Sequence, residues 1–169
     1  MNFPSIEDFF VAISKDTTSA ELRVLFLSLG ISEENLNDEN LDIKGRRVWS
    51  NKAAGLQLDF KDVGFIQDIP YHDIDEGPWV LTNVIFWGQQ EDVDSSYKGP
   101  KPYDLDYSMD RNTVRGIMLN NNLGAPKILG VSGNVDMWNV GSKEIKVNYS
   151  GSKGIRSISI GILIERNKK

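Results

Sequence analysis

Twice in its length the chain runs through the same order of signals: a capped amphipathic helix, a stop, then a tryptophan opening a hairpin of alternating apolar residues. In the first half Thr18 stands as helix cap with Glu21 at the capping-box distance. Leu22, Leu25, Phe26 and Leu29 then fall at intervals of 0, 3, 4 and 7, and Leu29-Gly30 closes the run. In the second half Asp110 takes the cap, Val114, Ile117 and Met118 stand at 0, 3 and 4, and Leu123-Gly124 closes it. Trp49 is followed 7, 9 and 11 residues later by Leu56, Leu58 and Phe60, and Trp138 by Ile145, Val147 and Tyr149 at the same offsets. This recurrence predicts an internal duplication. One helix and one hairpin cannot bury their apolar side alone, whereas two copies can merge their strands into one helix-covered sheet. The predicted fold is therefore α+β, an antiparallel sheet with helices packed on one face, built from two tandem helix-plus-hairpin repeats. It forms a single domain over 1–169, with repeat one over about 4–69, a connecting strand and loop over about 70–103, and repeat two over about 104–165.

Three further segments complete the prediction. Ser5, with Asp8 three residues later, caps a short helix over Ile6 to Ser14 that carries Phe9, Phe10 and Ile13. A final strand runs from Ile155 to Ile164, with Ile158, Ile160, Ile162 and Ile164 on one side and Ser157, Ser159, Gly161 and Leu163 on the other. The strand Trp79 to Trp87 is apolar on both sides: strict alternation puts Val80, Val84 and Phe86 on one face and Trp79, Leu81, Ile85 and Trp87 on the other. It reads either as a central strand covered on both faces or as a docking surface anchored by tryptophan.

Composition narrows the function classes. At 169 residues the chain is long enough to bury a real core. It has no cysteine, which removes disulfides, thiolate nucleophiles and thiolate metal sites. The start, Met-Asn-Phe-Pro-Ser-Ile-Glu-Asp, shows no secretion signal and no apolar run approaches a membrane span, so a cytoplasmic protein without membrane contact is expected. A net charge of −5 argues against nucleic acid as the main partner and favours a basic protein.

Catalytic chemistry finds little footing. His72, the only histidine, would have to serve any Ser-His-Asp set, and no Gly-x-Ser-x-Gly elbow accompanies it. His72, Asp73 and Asp75 lack metal-motif spacing. The stretches Lys52 to Gly55 and Gly151 to Gly154 read as strand turns and have no phosphate-loop spacing. The expectation is a protein without catalytic residues, metal or cofactor. What remains are acidic loop segments: Glu33, Glu34, Asp38, Glu39 and Asp42; Asp68, Asp73, Asp75 and Glu76; Glu91, Asp92 and Asp94. The last two flank the Trp79 to Trp87 strand. The candidate partner-binding set is therefore Asp73, Asp75, Glu76, Trp79, Trp87, Glu91, Asp92, Asp94 and Tyr97, with acids to speed encounter and aromatics to supply affinity.

From Tyr97 onward the sequence resembles bacterial toxin-immunity proteins, in particular those of S-type pyocins and related bacteriocins or of contact-dependent inhibition systems. The residues that carry the resemblance are Tyr97, Gly99, Pro102, Leu105 and Tyr107, then Val114, Leu123-Gly124-Ala125-Pro126, Trp138 and Tyr149. Lys101 stands where that pattern has Leu, and Asn120-Asn121-Asn122 lengthens the approach to Leu-Gly. The order of helix, Leu-Gly-x-Pro and hairpin is also similar to the repeat of beta-lactamase inhibitory protein and of small outer-membrane assembly lipoproteins. The resemblance implies a protein that binds one cognate toxin domain, a basic nuclease on charge grounds, and blocks its active site or a nearby surface. Two other classes stay open: a ligand-binding or scaffolding module of duplicated α+β type, and a small hydrolase using His72. Monomer and homodimer are both compatible with the sequence.

Overall fold

In the computed structural model, residues 2–38, 44–88, 95–151 and 154–163 are described. Helix α1 (Ile6–Ala12) starts at Ser5, whose hydroxyl accepts from the Asp8 amide while the Asp8 carboxylate accepts from the Ser5 amide, the reciprocal capping box expected. Helix α2 covers Ala20–Leu29 and α3 covers Arg111–Asn120. Among the described residues there are eight strands: β1 (Asn37–Asp38), β2 (Arg46–Asn51), β3 (Leu56–Asp62), β4 (Trp79–Trp87), β5 (Lys127–Leu129), β6 (Val135–Val140), β7 (Lys143–Tyr149) and β8 (Ile155–Ile162). They form one antiparallel sheet in the order β1-β2-β3-β4-β8-β7-β6-β5.

The sheet order is a mirror. The first four strands stack outward from β4 and the last four outward from β8, and the β4–β8 pairing runs from Asn83 opposite Gly161 through Val84 opposite Ile160 and Ile85 opposite Ser159 to Trp87 opposite Ser157. Leu58, Phe60, Val84, Phe86, Ile145, Val147, Ile158 and Ile160 are buried and pack with Leu22, Leu25 and Phe26 of α2 and Val114 and Met118 of α3 in a single hydrophobic cluster. At roughly 2 kcal/mol for each fully buried large apolar side chain, this shared layer is the main force holding the two halves together.

Local chemistry corrects several sequence expectations. The α2 cap is Ser19, whose hydroxyl accepts from the Leu22 amide; Thr18 instead binds the Asp16 carboxylate. The two helix stops are not equivalent Leu-Gly pairs. Gly30, at φ +67°, ends α2 with the Ile31 amide bonded to the Phe26 carbonyl, whereas Asn122, at φ +63°, takes that place after α3 with the Leu123 amide bonded to Met118. The hairpins do not coincide without a gap, since Trp49 pairs with Leu58 but Trp138 pairs with Ile145. The Lys52–Gly55 turn is two residues longer than the Gly141-Ser142 turn, which shifts the second hairpin.

The face assignment of β4 also changes. Asp59 pairs with Asn83 and Phe60 with Leu81, so Thr82 bulges out of the ladder and its hydroxyl donates to the Asp59 carbonyl. The bulge flips the alternation. Trp79 and Leu81 join Val84 and Phe86 in the core, and Val80, paired with Lys61, passes to the opposite face with Ile85 and Trp87. Beyond the end of β8, the free edge of β4 is covered by the α1–α2 connection, through Ser14 N to Leu81 O at 2.9 Å, Leu81 N to Lys15 O at 3.0 Å and Thr17 N to Trp79 O at 3.0 Å. Among the described residues no helix is long and apolar enough to cross a membrane.

Candidate binding loop

Between β3 and β4 the chain makes a 16-residue excursion, 63–78, whose ends meet where the Val63 amide bonds to the Pro78 carbonyl at 3.0 Å. This is an Ω-loop, a compact surface loop packed by its own side chains. Its anchor is the last residue of β3. Alternation along Leu56, Leu58 and Phe60 turns Asp62 toward the buried side, where it has no exposed surface. A carboxylate there is stable only if its lone pairs are filled, and the loop fills them. Oδ1 accepts from the Gly64 amide at 2.7 Å and from His72 Nε2 at 2.5 Å; Oδ2 accepts from the Gly77 amide at 2.7 Å and the Asp75 amide at 3.1 Å. Burial pushes the Asp62 carboxyl up, but the four donated bonds outweigh it and hold the group below the ordinary carboxylate range.

A second contact ties the loop to β2. The Asp75 side chain accepts from the Gly45 amide and from Arg47 Nη1, both at 2.9 Å, and the Arg47 guanidinium lies 4.1 Å from the centre of the Trp79 ring. The hydrogen bond and charge of Arg47 lower the Asp75 carboxyl. Beneath the loop, Gly45 at φ +78° leaves room for Phe65 and Ile74, whose carbons would lie 2.3 and 2.5 Å from any Cβ built there. The loop is thus clamped at its start, middle and end.

Its outer surface is unusual. Phe65 is 52% exposed, Ile66 42%, Ile69 38% and Tyr71 108%, the last in the left-handed region at φ +60°. A bulky non-glycine residue held at positive φ is strained, and such strain gathers at functional positions. Asp68, Asp73 and Glu76 are exposed among these apolar groups, and no Lys or Arg occurs between Val63 and Pro78. An apolar tip with an acidic rim, fixed in place before binding, suits an apolar depression bordered by basic side chains.

The sequence-derived set divides on this geometry. Asp73, Asp75 and Glu76 come together on the loop, with Asp75 engaged internally and Glu76 Oε2 4.0 Å from His72 Nδ1. Trp79 and Tyr97 are corrections. Trp79 is 6% exposed because of the Thr82 bulge, and Tyr97 is 1% exposed with its ring 4.9 Å from Phe86 and 5.1 Å from Phe3. Both are core residues and present no surface to a partner. Trp87 is half-buried on the open sheet face beside Ser50 and Gln57. Glu91, Asp92 and Asp94 lie outside the described residues, as do Glu39 and Asp42. The sequence reading missed Asp62, Phe65, Ile66, Ile69 and Tyr71. Their signal was an apolar run without helix or strand period inside an acidic segment.

His72 has one nitrogen on a buried carboxylate that can only accept, so Nε2 carries the proton and the ring acts as a loop strut. Among the described residues no three His, Asp or Glu side chains gather as a metal site. A second buried carboxylate, Asp136 on β6, holds helix α3 to the sheet. It receives Arg111 Nη2 at 2.6 Å, Arg115 Nε at 2.8 Å and Tyr149 Oη at 3.2 Å, from two arginines one helical turn apart. Burial raises its carboxyl, and the two guanidiniums overcome this and bring it down to about 2. Comparison with protein-family models, with curated proteins and with solved structures finds no match to this chain.

Proposed function

We propose that this chain is an immunity-type protein of the cytosol that binds one basic toxin domain, a nuclease by its charge, in a one-to-one complex and neutralises it without a catalytic step, cofactor or metal. The observation that carries the reading is the 63–78 loop, which displays Phe65, Ile66, Ile69 and Tyr71 amid Asp68, Asp73 and Glu76 on a frame clamped by Asp62. The rigid frame lowers the ordering cost of association, the aromatic tip provides anchors and the acids steer a basic surface. The net charge of −5 acts in the same direction at long range. The mirrored strand order, with β4 and β8 paired at its centre, supports descent of the two halves from one helix-and-hairpin unit.

The test is binding. With this chain as bait at low and moderate salt, a single basic protein should be recovered in equal amount. In the purified pair, replacing Asp68, Asp73 and Glu76 together by Lys should slow association about tenfold or more at low salt. Tyr71→Ala should act on dissociation. Unchanged rates in both variants would remove the loop from the interface; recovery of a retained small molecule in place of a protein would favour the ligand-binding class.

A further inference from the structure

We propose that the open face of the sheet carries a second site, independent of the loop, where a carboxylate or phosphate group is held between Arg46 and Lys61 on one wall and Lys146 on the other. The centre of that face is a trough of about 330 Å³. It exists because small residues meet at the β4–β8 seam: Gly161 lies opposite Asn83 on one side and Glu144 on the other, and Ser159 lies opposite Lys146. A Cβ at Gly161 would sit 3.1 Å from Asn83 Oδ1, so any side chain there enters the trough.

Charge on its walls is uneven. Arg46 and Lys61 are direct cross-strand partners, an arrangement that repels, and neither forms an ion pair among the described residues. Of the lining carboxylates, Asp59 accepts from Gln57 Nε2 at 2.7 Å and Asn83 Nδ2 at 3.1 Å, and Glu144 lies 3.7 Å from Lys146. Three cations against two carboxylates leave the trough with one net positive charge inside an acidic protein, with Lys146 beside Glu144 and the surplus on the Arg46 and Lys61 side. An anion between Arg46 and Lys61 turns their repulsion into two charge-assisted contacts, with the Ser159 hydroxyl nearby as a further donor.

The anion has two sources, a free small molecule or an acidic side chain of a bound protein, and both are tested on the full chain by amide chemical shifts. The probes are inorganic phosphate, glutarate and a blocked peptide of four glutamates. Saturable shifts should centre on Asn83, Ser159 and Gly161. Arg46→Gln and Lys61→Gln should each raise the dissociation constant at least fivefold, Gly161→Leu should abolish binding, and Lys127→Gln on the distant β5 should leave it unchanged. Tighter binding of phosphate or glutarate marks a free ligand, and tighter binding of the peptide marks a protein side chain. Should Gly161→Leu fail to fold, the Arg46 and Lys61 variants decide. No saturable shift with any probe, or shifts that both variants leave intact, would overturn the site.

Discussion

Asp62 and Asp136 are acids placed where strand alternation puts core residues, in line with Leu58 and Phe60 and with Trp138 respectively. That misplacement is visible in the sequence once strand parity is fixed. Most of their partners are not: the Gly64 amide is a local cap two residues on, but His72, Asp75 and Gly77 reach Asp62 only through the loop's tertiary path, and Arg111 and Arg115 reach Asp136 from a packed helix. Asp62→Asn turns an acceptor oxygen into an amide facing N–H donors and should cost about 2–4 kcal/mol in urea unfolding. Amide exchange at Gly64, Asp75 and Gly77 should speed up with it. Asp136 gives a pH dependence with a definite sign. Its folded pKa, about 2, lies below the ordinary 3.8, so its stabilisation is complete above that ordinary value and is lost as pH falls from there to about 2. The loss should approach 2 kcal/mol. Urea midpoints measured across that interval should fall in the wild type and fall less steeply in Asp136→Asn.

Helices and strands were legible wherever the apolar period is strong: α2, α3, β3, β4, β7 and β8 all lie where the spacing places them. Their ends were not, because caps and bulges depend on which neighbouring groups compete for a hydrogen bond. Thr18 and Ser19 are both acceptable caps by type, with Ser the better, and the Asp16 carboxylate settles the choice by engaging Thr18. Ser19→Ala should therefore cost about 1 kcal/mol and Thr18→Ala distinctly less, by thermal or urea unfolding. After α3, Asn122 occupies a left-handed position, so Asn122→Ala should destabilise by about 1 kcal/mol while Asn122→Gly should not. The Thr82 bulge had the largest consequence. It moved Trp79 from a presumed surface anchor into the core, and no alternation rule applied to β4 alone reveals it, since it depends on the pairing with β3 and on the segment covering the β4 edge.

For the molecule as a whole, the α+β class and the antiparallel sheet followed from periodicity, whereas the strand order, with β4 and β8 at the centre, did not, because it depends on which strand edges meet once the helices have packed. The acidic segment 68–76 was legible as a candidate by charge, and the structure adds the exposed apolar groups beside it and the clamp beneath it. Charge alone could not separate Asp75, spent on Arg47, from Asp68, Asp73 and Glu76, which face outward. On the function proposed above, the antiparallel sheet carries this acid-rimmed apolar loop, held by Asp62, toward a basic partner. The direct test is hydrogen exchange on the isolated one-to-one complex. Strong protection over 63–78, lost in Tyr71→Ala together with Asp68→Lys, is the result this account predicts. Protection confined to other surfaces, with the loop exchanging as in the free protein, would contradict it.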